Sequence, residues 1–132
     1  MNTVFLALGT IFVILAAAFH LYVFFLESIA WSNPRTWRVF GLPSQEHADI
    51  TKPLAFNQGF YNLFLALSCF VGLAILALDF SAGMALMFCG SASMVLAGVV
   101  LFFSSRTSRR SAFIQAGPPL IGIVFLALGL AL

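Results

Sequence analysis

Hydrophobic residues run almost unbroken through four stretches of this chain, and polar residues collect between them. The stretches are Val4 to Leu26, Phe56 to Leu78, Ala82 to Phe103 and Phe113 to Leu132. Each is about 20 residues or slightly longer, enough for a helix rising ~1.5 Å per residue to cross ~30 Å of hydrocarbon. A membrane barrel would instead show ~10-residue segments of alternating polarity. Inside lipid, a helix is the remaining way to satisfy every backbone group. The pattern therefore predicts an all-α membrane protein, a single domain over 1–132 with four transmembrane helices in an antiparallel bundle. The first stretch reads as a span and not as a cleaved leader, because only Met1, Asn2 and Thr3 precede it and the apolar run continues past Ala16-Ala17-Ala18 to Leu26.

Composition excludes the soluble alternative. Hydrophobic residues make up 62% of the 132 and charged residues 8%, against roughly 25% charged in an ordinary soluble domain. Ten charges could not coat a globule of this size in water.

Those charges carry the orientation. The connection 27–55 holds Arg35, Arg38 and Lys52, and the connection 104–112 holds Arg106, Arg109 and Arg110; these are all six basic residues. Basic residues are retained on the cytoplasmic side, so both connections are expected in the cytoplasm and both termini on the non-cytoplasmic side. Three arginines in a short loop are topogenic charge with a secondary pull on anionic headgroups, and no nucleic-acid partner is expected. The longer connection is broken up by Pro34, Gly41, Pro43 and Pro53. Within it Ser44 to Asp49 suits the start of a short helix, and Trp31 and Trp37 suit the headgroup region.

The informative side chains are the polar ones that enter the spans, since an ionisable group there costs ~2.5–3.5 kcal/mol at the helix centre. The first helix carries His20 and, seven residues on, Glu27, nearly two turns apart on one face. The second begins with Asn57 and Gln58; Gln58 and Asn62 stack four apart, with Asn57 and Tyr61 on the adjacent stripe. The fourth begins with Gln115 before Gly117-Pro118-Pro119. Placed by depth, Glu27, Asn57, Gln58, Tyr61, Asn62 and Gln115 fall in the cytoplasmic third of the bundle. They form a candidate ligand pocket, with His20 and Glu27 as the candidates for any proton transfer. The third helix offers Gly90, Ser93, Ala97 and Gly98 for close packing. These amides also have a plain structural use, as interhelical hydrogen bonds of ~0.6 kcal/mol each, and Glu27 could pair with Arg35 or Arg38 among headgroups. No second His or Cys stands at ligand spacing in the spans, so no metal site is expected, and no cofactor is indicated. Cys69 and Cys89 have no C-x-x-C spacing and read as small core residues.

H-L-Y-V-F-F-L-E-S-I-A-W at 20–31 followed by F-N-Q-G-F-Y-N-L-F-L-A at 56–66 resembles a bacterial family of small four-span membrane proteins, domain of unknown function 1304. The resemblance covers essentially the whole chain and implies a multi-pass protein of the bacterial cytoplasmic (inner) membrane, without an activity. The label epimerase carried by some members has no counterpart here, as no dinucleotide-binding fingerprint is present. The layout is also similar to that of the microsomal glutathione transferase and eicosanoid-synthase superfamily. That superfamily has four spans, outward termini and a site where helices one, two and four meet. Asn57 and Asn62 match part of its second-helix signature, whose Arg and Glu are missing here.

Three functions fit these residues. One is binding or transforming a small lipophilic molecule at the polar pocket. Another is proton-coupled export through Glu27, which lies nearer a helix end than the midplane expected of a coupling site. The third is a non-catalytic oligomeric or accessory role, with Gly90, Ser93 and Ala97 or Gly122 and Gly129 as contact stripes. Expected partners are the bilayer, a lipophilic ligand and, on the third reading, further copies of the chain. Whether the protein is an enzyme is left open by the sequence.

Overall fold

In the computed structural model, which describes residues 1–132, every regular element is helical. α1 (Thr3–Phe24) passes into a single π-helical turn, Phe25–Ile29, and is followed by a short α2 (Pro34–Val39). Three longer helices complete the chain: α3 (Gln45–Ile75), α4 (Phe80–Ser104) and α5 (Arg109–Ala131). Thr3–Ile29, α3, α4 and α5 are each long and apolar enough to cross a membrane. Their outward side chains include Ile11, Leu15, Leu67, Val71, Val100 and Val124, a surface matched to acyl chains and not to water. This is a multi-pass membrane protein.

The residues group into two compact units, Met1–Phe19 with Leu65–Leu132, and His20–Phe64. In the first, segments of four helices share one core of Val13, Ala16 and Ala17 with Ala66, Cys69, Met87, Met94 and Leu126. Small residues let the backbones close on one another. A Cβ on Gly9 would lie 2.7 Å from the Leu126 backbone nitrogen, and one on Gly122 would lie 2.9 Å from Val13. As residue numbers rise on α1 their partners fall on α5, so these two run antiparallel. Gly72 meets Gly83, and Cys69 meets Gly90, in the same sense for α3 and α4.

The glycine stripes assigned by sequence to partner contacts are used within the chain. Gly122 and Gly129 seat Val13 and Leu6 of α1, and Gly90 seats Cys69. On α4 the packed face is Met87, Gly90, Ser91, Met94 and Gly98, while Ala97 is exposed. Van der Waals packing at small residues is the same force whether the facing helix belongs to this chain or another, which is why composition does not separate the two. Cys69 lies buried with its sulfur 3.8 Å from the Ser91 hydroxyl, and Cys89 is exposed; both are free thiols.

In the second unit α2 is bounded by local chemistry. The Asn33 side chain accepts from the Arg35 N–H at 2.9 Å, and Pro34 takes the first helical position, where its missing N–H costs nothing. The other end closes with Leu42 N–H to the Trp37 carbonyl (3.2 Å) and Gly41 N–H to that of Arg38 (3.0 Å). That is a Schellman arrangement, and Gly41 supplies its left-handed residue at φ 78°.

Two expectations change here. Pro53 does not end a helix: α3 starts at Gln45, with the Ser44 hydroxyl accepting from His47 N–H at 3.4 Å, and runs through the proline to Ile75. Pro53 is exposed, so its ring has room, and a buried bond from Trp31 Nε1 to the Ala48 carbonyl (2.9 Å) fastens the turns before it. The two tryptophans are interior, at 6% and 4% exposed, and do not serve as exposed headgroup anchors. Trp37 Nε1 donates to Gln45 Oε1 at 3.1 Å, so both indoles hold the connecting segment to the start of α3.

Candidate functional site

The site belongs to the second unit. Ala30 N–H bonds the Phe25 carbonyl five residues back, at 2.9 Å, which closes the π turn. Such turns hold an extra residue and occur frequently at functional positions. Here the wider turn lets two neighbours in sequence, Glu27 and Ser28, both reach α3. The Ser28 hydroxyl donates to the Phe56 carbonyl at 2.9 Å. Gly59 makes this approach feasible: a Cβ there would collide with the Ser28 hydroxyl and lie 3.0 Å from the Ser28 backbone nitrogen. One turn away, Phe24 packs edge-on against Phe60, with centroids 5.3 Å apart.

Glu27 is buried at 8% exposure. Its Oε2 accepts from Asn62 Nδ2 at 2.9 Å, and the same amide nitrogen donates to the Gln58 carbonyl at 3.1 Å. Asn62 is thereby tied to its own helix and aimed at the carboxylate, a charge-assisted bond that orients Glu27. Arg38 lies over the Trp37 ring, 5.2 Å from its centroid, so the expected headgroup pairing with Glu27 gives way to an interior amide.

Two clefts of about 440 and 590 Å³ meet at Glu27, Trp31 and Asn57, which line both. The first continues along Ser28, Ser32, Asp49, Lys52 and Phe56. The second continues along Phe40, Leu42, Leu54, Gln58 and Tyr61. Their sizes fall in the range of small-molecule sites, which are largely apolar with a few fixed polar groups.

Of the residues singled out by sequence, Glu27, Asn57, Gln58, Tyr61 and Asn62 come together in this unit. Asn57, Gln58 and Tyr61 are exposed on the cleft walls, and Asn62 is buried. His20, fully buried, opens the same unit without lining either cleft. Gln115 is half-buried on α5 and belongs to the first unit. Sequence reasoning passed over Ser28, Trp31, Asp49 and Lys52. The positions 49, 52, 53 and 56 fall at helical spacing along one face, a signal that appears once α3 is read through Pro53.

Chemically, the site offers one interior carboxylate, amide donors and acceptors, an ammonium and aromatic walls. No three His, Cys, Asp or Glu side chains gather at a point that could hold a metal ion. No curated protein and no solved structure matches the sequence. A family model does, over residues 14–127, a stretch that contains the π turn, Asn62 and both clefts. By that match the chain belongs to the family described as proteins of unknown function, DUF1304.

Proposed function

We propose that this protein binds, and is equipped to transform, a small lipophilic molecule whose polar end contacts Glu27 within the membrane. One observation carries the reading: a buried carboxylate is held through one oxygen by Asn62 while it lines two clefts of ligand size. An interior acid is costly in a span, and two clefts converging on it give that cost a use. Asn57 and Gln58 supply hydrogen bonds to a polar end, while Trp31, Phe40 and Phe56 supply apolar wall. Protein purified from membranes is expected to carry a lipophilic compound detectable by mass spectrometry. Glu27→Gln should lower its occupancy by about tenfold, the scale of one charge-assisted hydrogen bond. Equal occupancy in the variant would refute the assignment.

The orientation that accompanies this reading puts the connections 27–55 and 104–112 in the cytoplasm of a bacterial cell, and the site in the cytoplasmic leaflet of the inner membrane. It rests on six basic residues on one side against none on the other. Cysteine-labelling of single substitutions at Ser32 and Thr107 should require permeabilised inner membrane, and labelling from the periplasm in intact cells would reverse the orientation.

A further inference from the structure

The first cleft is distinguished from the second by its charges. Glu27, Asp49 and Lys52 line it together, with the hydroxyl-bearing Ser28 and Ser32; Glu27 is the only charged residue lining the second. Asp49 is steadied from its own helix, Gln45 Nε2 donating to its Oδ1 at 2.9 Å. Two apolar side chains of this cleft, Ile29 and Phe56, are themselves 64% and 47% exposed, so hydrocarbon can continue from the polar lining.

We infer that this cleft receives the zwitterionic headgroup of an amine-bearing phospholipid, with its primary ammonium at Glu27 and Asp49 and its phosphate at Lys52 and Ser32. The inference rests on the lipophile-binding reading above and names the class of ligand. Charge selects it. An anionic headgroup would set its phosphate against two carboxylates without a cation to answer them, and a simple cation would meet Lys52. A neutral lipid would desolvate three charged side chains and return no ionic partner to any. A zwitterion answers both signs. Hydrogen bonding narrows the choice further: a primary ammonium carries three N–H donors for the carboxylate oxygens, whereas a quaternary ammonium carries none.

The test is native mass spectrometry of the full chain released from mixed-lipid nanodiscs containing phosphatidylethanolamine, its mono- and dimethyl derivatives, phosphatidylcholine and phosphatidylglycerol. Retention is expected to fall stepwise as N–H donors are replaced by methyl groups, by about tenfold across the series. Glu27→Gln should reduce that span to about threefold, and Glu27→Gln with Asp49→Asn should flatten it to within about twofold. Lys52→Gln, at an exposed position that packing does not need, should lower retention of every phospholipid by about fivefold while keeping the order of the series. Phosphatidylglycerol or phosphatidylcholine held as well as phosphatidylethanolamine overturns the headgroup assignment. If a different lipophile is then held and lost in Glu27→Gln, the broader reading survives; if no bound lipid responds to Glu27→Gln, both fall. Free phosphoethanolamine displacing the lipid at equal concentration also overturns the inference, since the acyl part would then contribute nothing.

Discussion

Gly59→Val is expected to destabilise the protein by about 2–4 kcal/mol, read as a lowered unfolding midpoint in detergent. The valine Cβ would overlap the Ser28 hydroxyl and press on the Ser28 backbone nitrogen and the Glu27 Cβ, 3.0 and 3.1 Å away. A hydroxyl can rotate aside, but a backbone nitrogen cannot, so the π turn must move off α3. Overpacking of this kind costs about 1–3 kcal/mol, and the Ser28 bond to the Phe56 carbonyl, worth about 1 kcal/mol, goes with it. The effect should reach the site, because Ser28 neighbours Glu27 on the displaced turn. Gly117→Ala is the matched control. Its Cβ meets nothing within 4 Å outside its chain neighbours. Alanine is the better helix former by up to about 1 kcal/mol, while the ring of Pro118 crowds the Cβ of the residue before it. The two effects oppose, and the variant should stay within about 1 kcal/mol of wild type. Wild-type stability in Gly59→Val would mean that α3 and the π turn are not in contact here.

How far the sequence reaches can be judged from the same residues. The four spans are legible because apolar contiguity over about 20 residues has few other physical uses. Glu27 and Asn62 are legible because polar side chains in a span are costly enough to stand out. The π turn is not: it changes a helix by one residue, and no residue type marks it. Proline breaks helices as a rule, yet the helix tolerates it at 53, where the ring is exposed and the Trp31 bond to Ala48 holds the preceding turn. Asp49 and Lys52 come into line with Phe56 only on a continuous helix, so a break at 53 conceals them. The tryptophans misled for a related reason. Their rings suit headgroups and interiors equally, and what decides is an acceptor within reach of each indole N–H: the Ala48 carbonyl and Gln45 Oε1.

The pair at the centre of the site separates structure from function through a double-variant cycle. Asn62→Ala removes the donor to Glu27 Oε2 and leaves a buried carboxylate with less support; the expected loss is about 1.5–3 kcal/mol, the range for hydrogen bonds to charged groups. Glu27→Met keeps the length of the side chain and removes the acceptor. Asn62 Nδ2 retains its bond to the Gln58 carbonyl, so this loss should be smaller, about 1 kcal/mol. With both replaced, no buried charge remains to be satisfied, and the double variant should be more stable than Asn62→Ala alone, with a coupling of about 1–2 kcal/mol. The same double variant should hold at least about tenfold less lipophilic ligand, because the acid that faces the clefts is gone. Recovery of folding without recovery of binding is the signature of a carboxylate kept for its contact with a ligand. Recovery of both would make Glu27 and Asn62 an interhelical tie like others in membranes, typically worth about 0.6 kcal/mol, and would leave the two clefts without a chemical centre.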